Sequence, residues 1–94
     1  MGEHKKHIAM RVHGKVQGVF FRASTQEKAE ALGLTGFVQN EDNGTVYLEA
    51  EGDEEALCKL QQWVHEGPKN AKVSRVDIKS IKDLKGFDGF EQRR

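Results

Sequence analysis

Residues 14–22 join an alternating segment to a helical one and read Gly14-Lys15-Val16-Gln17-Gly18-Val19-Phe20-Phe21-Arg22. The two glycines let the backbone curl without a steric penalty from a Cβ atom, so several N–H groups can point into one concavity. The unpaired N–H groups and the positive dipole end of a helix follow at once. The stretch therefore predicts an anion-binding loop, the name used below for residues 14–22.

Arg22 strengthens this interpretation. It falls at or near the first helical turn, where a cation is locally unfavourable by up to about 1 kcal/mol. A residue that breaks a local rule beside an anion concavity indicates that the anion is its partner, and the guanidinium fork suits phosphate or carboxylate oxygens. The alternative is an ordinary strand-to-helix turn. The nucleotide-binding pattern G-x-x-x-x-G-K-[ST] is absent.

Working outward from this loop, hydrophobic periodicity and turn signals predict the remaining elements. In chain order these are a strand over 7–13, a helix to about Leu32, a strand over 35–40, a hairpin turn over 41–44, a strand over 45–51, a helix capped by Asp53 and stopped by Gly67-Pro68, a strand over 73–78 with Ser74, Val76 and Ile78 on its apolar side, and a short closing strand over 87–93. The first helix has two candidate starts, Phe21 and a capping box at Ser24.

This order predicts an α+β fold of the ferredoxin-like, split β-α-β type. An antiparallel sheet of four to five strands would carry both helices on one face. With 94 residues the chain suits a single domain over 1–94, and Met1 to Lys6 are expected to be frayed.

Composition excludes several classes of function. Fifteen basic and fifteen acidic residues leave a net charge of zero, which argues against nucleic-acid binding. One cysteine fits a reducing compartment, and the absence of a long apolar run argues against a membrane span or secretion. We expect a cytoplasmic monomer without a nucleic-acid or membrane partner.

The chain offers little conventional catalytic machinery. No Cys or His spacing predicts a metal site, and no cofactor is expected. The four histidines, His4, His7, His13 and His65, are interpreted as surface or strand-edge residues, and Cys58 as a half-buried structural thiol.

Phosphoryl transfer to water needs only positioning and charge stabilisation when the leaving group is a carboxylate, whose acid has a pKa near ~4. Asn40, at the end of the second predicted strand, could orient that water, or could be a turn residue bonded to its own backbone.

The stretch G-K-V-Q-G-V-F-F-R resembles the acylphosphatase signature G-x-V-Q-G-V-x-F-R, and Gly33 to Asn40 is similar to that family's G-L-x-G-[aromatic]-V-x-N block. The match runs from about Ile8 to Ile78 and favours a helix start near Phe21. The resemblance implies metal-free hydrolysis of an acyl phosphate, with inorganic phosphate or sulfate as a competing anion. It assigns the phosphoryl group to Arg22 and to the backbone of Lys15, Val16, Gln17, Gly18, Val19, Phe20 and Phe21, and the nucleophilic water to Asn40. One departure is Asn43, where the family's hairpin usually has Asp, and little effect is expected.

Two other functions use the same fold. A non-catalytic anion-binding regulatory module would bind phosphate but leave an acyl phosphate intact. An RNA-binding domain would need stacking aromatics on its central strands, which the first predicted strand does not supply.

Overall fold

The structure is a computed structural model and describes residues 5–93. Its elements are β1 (Lys5–Lys15), α1 (Phe21–Ala31), β2 (Thr35–Asn40), β3 (Val46–Asp53), α2 (Glu54–Glu66), β4 (Lys72–Ile81) and β5 (Phe90–Arg93). Of the segment predicted to be frayed, Lys5 and Lys6 instead pair with Asp53 and Gly52 in β3. Residues 1–4 lie outside the described range.

The strands form one five-stranded sheet in the order β4-β1-β3-β2-β5. The first three neighbouring pairs are antiparallel, but β5 runs parallel to β2. The segment after β4 crosses the whole sheet before β5 begins, which places β5 at the opposite edge. The α+β ferredoxin-like fold is therefore confirmed, with a mixed sheet in place of the fully antiparallel one.

The core lies between one face of this sheet and both helices. Alternate residues of β1 and β3 point into it because successive side chains of a strand face opposite sides. The helices contribute positions three or four apart, which share one helical face. The core residues on these elements are Ile8, Met10 and Val12 of β1, Val38 of β2, Val46, Leu48 and Ala50 of β3, Phe21 and Ala29 of α1, and Leu57, Leu60 and Val64 of α2. No helix within residues 5–93 is long and apolar enough to cross a membrane.

The outer face of the sheet is covered at one end by the segment 82–89. Phe87 meets the ring of His7 edge-on, with 5.7 Å between centroids, and lies 5.8 Å from the ring of Phe37. His7 is only 1% exposed and β1 lies between β4 and β3, so its interpretation as a surface or strand-edge residue is wrong. The alternation of β1 correctly placed His7 on the outer face, but this distant segment buries that face.

Two further expectations are corrected. The pairing of β1 with β4 shifts between His13 and Gly14, which leaves Ser74 without a counterpart. Val73 and Val76 therefore both contact the core, although strict alternation assigned them to opposite sides. Cys58, expected to be half-buried, is exposed on α2.

Candidate active site

The anion-binding loop leaves β1 and enters α1 through an uncommon backbone conformation. Phe20 has φ 63° and ψ 24°, which is the left-handed region, and its carbonyl accepts the first helical hydrogen bond, from Ser24 N at 3.0 Å. The helix therefore begins at Phe21 and not at a Ser24 cap. Gly18 also has a positive φ, 73°, which glycine adopts without strain.

A cleft of about 270 Å³ opens between this loop and the ends of two strands. Its lining residues are Val16, Gly18, Phe20, Phe21, Arg22, Ala23, Asn40 and Gln92. Arg22 and Asn40 also line an adjoining hollow together with Gln17. The structure thus brings together the two side chains singled out from the sequence.

Arg22 lies in the first turn of α1 and reaches across to β5. Its Nη1 donates a hydrogen bond to the carbonyl oxygen of Arg93 at 2.8 Å. A guanidinium has five N–H donors, so this bond fixes the side chain and leaves others for a bound anion. The helix N-terminus adds its positive dipole end on the same side.

Asn40 is the last residue of β2, and the turn after it is tied to the anion-binding loop. The Gln17 side chain donates to the carbonyl oxygens of Glu41 at 2.8 Å and of Thr45 at 2.9 Å. The two segments that carry Asn40 and the loop are therefore held together by direct hydrogen bonds.

Glu41 adds a second restraint on this turn. Arg11 of β1 binds its carboxylate in bidentate fashion, at 2.7 Å from Nε and 3.0 Å from Nη2. The hydrogen bond from Arg11 lowers the pKa of Glu41 and outweighs burial, which acts in the opposite direction. Glu41 is therefore ionised and its charge is balanced, so it does not repel an anion at the neighbouring cleft.

The turn itself accounts for Asn43. Its Oδ1 accepts hydrogen bonds from Thr45 N at 3.1 Å and from Thr45 Oγ1 at 2.6 Å. Only an acceptor oxygen is required, and both Asp and Asn provide one.

Other residues of the predicted site lie apart from the cleft. Lys15 is the last residue of β1, opposite Lys72, and Val19 is buried in the core. The assignment of their backbone N–H groups to an anion stays a prediction.

Gln92 is a cleft residue that the sequence did not indicate. It lies on β5, and its side chain donates to Gln26 Oε1 of α1 at 2.7 Å. Only the unexpected placement of β5 beside β2 brings it to the cleft, and no local pattern signals that placement. Within residues 5–93, no group of three or more His, Cys, Asp or Glu side chains is arranged to hold a metal ion.

The fold defines a class of small α+β domains of the ferredoxin-like, split β-α-β type, and in this chain Arg22 and Asn40 line one cleft at the edge of the sandwich. Comparison with known proteins narrows the class. The acylphosphatase family model matches residues 8–92. An acylphosphatase of Salinibacter ruber is 46% identical over 90 residues, which cover 96% of this chain and 95% of that protein.

Solved structures of acylphosphatases also superpose closely on this chain. An acylphosphatase from Coxiella burnetii superposes with a TM-score of 0.93 at 42% identity, covering 97% of this chain and 95% of that one. The acylphosphatase of Bacillus subtilis gives 0.91 at 34% identity, covering 94% and 98% of the two chains. The chain belongs to the acylphosphatase family, whose members are hydrolases that act on acyl phosphates.

Proposed function

We propose that this protein hydrolyses the carboxyl–phosphate bond of acyl phosphates to a carboxylate and inorganic phosphate, with Arg22 and Asn40 as its catalytic residues. The observation that carries the proposal is that Arg22, from the first turn of α1, and Asn40, from the end of β2, line one cleft with the anion-binding loop.

The phosphoryl group is held by Arg22 and by the backbone N–H groups of residues 15–21. In a loose phosphoryl-transfer transition state the negative charge is spread over three equatorial oxygens. Donors that are already oriented stabilise this charge without reorganising during the reaction. The hydrogen bond from Arg22 to the Arg93 carbonyl supports such an orientation.

The Asn40 side-chain amide orients the attacking water. The water oxygen attacks phosphorus in line with the leaving group, the P–O bond to the acyl group breaks, and the carboxylate leaves with the electron pair. Asn40 is not a base near neutral pH, so a water proton passes to a phosphoryl oxygen of the substrate. Carboxylic acids have a pKa near ~4, so the leaving group needs no general acid. The fixed position of Asn40 supports this role, since the turn after it is bonded to Gln17 and Arg11.

In this mechanism Arg22 and the loop amides bind the phosphoryl group itself, so inorganic phosphate and sulfate should compete with the substrate. The expected solution state is a cytoplasmic monomer acting on a small molecule.

Loss of benzoyl phosphate, followed with chelator present and with inorganic phosphate as competitor, tests the activity. Arg22→Gln should reduce kcat/KM by at least about 10³, as removal of a transition-state charge partner does, and should weaken phosphate inhibition. Arg75→Gln removes an exposed arginine of β4 and is the matched control. Turnover that survives Arg22→Gln would contradict the role of Arg22. Saturable phosphate binding without any turnover by the unaltered protein would contradict catalysis and favour a regulatory module.

Asn40→Ala separates water orientation from binding. We expect kcat to fall by about 10², while the inhibition constant for phosphate changes much less. The control Asn70→Ala alters an asparagine of the turn before β4. Equal losses in turnover and phosphate affinity would make Asn40 a binding residue and overturn its assignment to water.

A further inference from the structure

Phe20 is the one apolar residue of the anion-binding loop whose side chain lies outside the core, and the proposed mechanism does not use that side chain. It is 80% exposed, whereas the flanking Val19 and Phe21 are buried at 8% and 2%. Single exposed apolar residues are common on protein surfaces, so exposure alone has no functional meaning. The position of Phe20 and its backbone conformation distinguish it.

The backbone at Phe20 is strained. Its φ of 63° makes it the only non-glycine residue with a positive φ in the described range 5–93. Bulky residues rarely adopt this conformation, and glycine adopts it without cost. A large aromatic residue at this point is therefore unfavourable for the loop and gains no burial in return. The strain comes from the phenylalanine side chain, because glycine would adopt the same φ without cost, and backbone strain of this kind is typical of functional positions.

The ring stands beside the cleft that would hold the phosphoryl group. Phe20 lines this cleft together with Arg22 and Asn40. A Cβ atom added at neighbouring Gly18 would meet no other atom within 4 Å, so the space next to the loop is open. Of the residues that line the cleft, Val16 and Phe21 are buried in the core whereas Phe20 is exposed, so an acyl group that extends from a bound phosphoryl group toward solvent would pass on the side of Phe20.

We propose that Phe20 is a specificity-determining residue that binds the acyl part of the substrate and favours acyl phosphates with an aromatic or extended apolar acyl group. This inference rests on the proposed function, since it assigns the group beyond the phosphoryl end. The substrate ring stacks on Phe20 in an offset or edge-on arrangement and covers apolar surface that is otherwise in water.

The test compares benzoyl phosphate with acetyl phosphate, which share the phosphoryl group and differ in the acyl group. Wild-type protein should show a kcat/KM for benzoyl phosphate about two- to twelvefold higher, relative to acetyl phosphate, than Phe20→Gly does. Glycine fits the positive φ, so this variant removes the ring without adding strain. Any effect of greater loop flexibility on the phosphoryl site acts on both substrates and cancels in the ratio.

Two more variants of Phe20 and one control variant sharpen the result. Phe20→Asn also tolerates a positive φ, and should lose the preference as glycine does. Phe20→Leu keeps an apolar side chain and should retain part of it. Leu84→Ala, which removes another exposed apolar side chain far from the loop, should leave the ratio unchanged. A ratio that stays the same in Phe20→Gly while both substrates are hydrolysed would overturn this inference and leave the proposed function standing.

Binding gives a readout that does not depend on turnover. In calorimetric titrations, phenylphosphonate should bind more tightly than methylphosphonate to the wild-type protein, and Phe20→Gly should abolish the difference. Equal affinities in the wild type would overturn the role of Phe20. Hydrolysis of neither acyl phosphate would instead refute the proposed function itself.

Discussion

Replacing His7 with leucine tests the buried ionic cluster that fastens the segment 82–89 to the sheet. The imidazole Nε2 lies 2.8 Å from Glu49 Oε1, and Nδ1 lies 2.9 Å from the carbonyl oxygen of Asp83 and 3.3 Å from Glu51 Oε2. Because both ring nitrogens face only oxygen acceptors, the doubly protonated imidazolium is the form that can donate at each of them. In that form His7 places a positive charge between the carboxylates of Glu49 and Glu51.

The expected loss of stability depends on which hydrogen bonds the carboxylates of Glu49 and Glu51 keep after the substitution. Leucine is similar in size and fills most of the space, so the loss is mainly electrostatic. Removing one member of a buried ion pair costs about 3–5 kcal/mol. Glu49 would retain the hydrogen bond from the Tyr47 hydroxyl at 2.7 Å, and Glu51 would retain the one from Gly86 N at 3.0 Å. We therefore expect His7→Leu to lower the free energy of unfolding by about 3 kcal/mol, the lower end of that range.

Urea unfolding at neutral pH, followed by the fluorescence of Trp63, measures this loss. With slopes of about 1–3 kcal/mol per molar urea, the midpoint should fall by roughly 1–3 M. His65→Leu alters an exposed histidine bonded only to its own helix and is the control. The double variant His7→Leu/Glu49→Gln should recover part of the stability, because it also removes the charge of one of the two carboxylates that lose His7 as a partner.

The loss of stability in His7→Leu should depend on pH, and the pKa of Glu49 determines in which direction. Burial acts to raise the pKa of Glu49, but the hydrogen bonds from Tyr47 and His7 lower it overall. A carboxyl with a lowered pKa contributes stability above its unfolded pKa of about 4.3, and the contribution is lost as the pH falls through the folded value. The difference between wild type and His7→Leu should therefore shrink below about pH 4. A neutral-pH difference under about 1 kcal/mol, or one matched by His65→Leu, would refute the ionic account.

Two other substitutions probe the interior and the site. Thr25 is fully buried in α1, and its hydroxyl finds no partner within the described residues, so Thr25→Val should raise the free energy of unfolding by about 1 kcal/mol in the same urea assay; a decrease would show that the hydroxyl is satisfied. Arg11→Met removes the bidentate partner of Glu41 and should reduce kcat roughly tenfold by loosening the turn after Asn40. The inhibition constant for phosphate should change much less, and an equal change in both would show that the turn does not act through Asn40.

Local patterns were sufficient for most of the fold. The segment 35–40 was predicted as a strand and is β2 with the same limits, and Gly67-Pro68 was expected to stop α2, which ends at Glu66. These features depend on periodicity and on turn residues, which act over a few positions. Local patterns also placed Arg22 at or near the start of the first helix and Asn40 at the end of the second strand, and the structure has both residues there.

Features that depend on distant segments could not be predicted in this way. His7 alternates with core residues like any outer-face residue, and only the placement of Phe87 over it reveals that it is buried. The register shift between His13 and Gly14 changes which β4 residues face inward. The sequence of β4 alone does not show where its pairing with β1 is irregular. Gln92 reaches the cleft for the same reason, since β5 could have joined either edge of the sheet.

The position of β5 also has a consequence for the order in which this protein acquires activity during translation. The anion-binding loop and Asn40 leave the ribosome early. Gln92, which lines the cleft, and the Arg93 carbonyl, which accepts the hydrogen bond from Arg22, come after every other element of the fold. Domains fold as units once their sequence is available, and β1 must in any case wait for β3 and β4 on either side of it. The anion-binding loop of a nascent chain therefore emerges before the hydrogen bond from Arg22 to the Arg93 carbonyl can form. Acyl phosphate turnover should begin only when residues 90–93 have emerged from the exit tunnel.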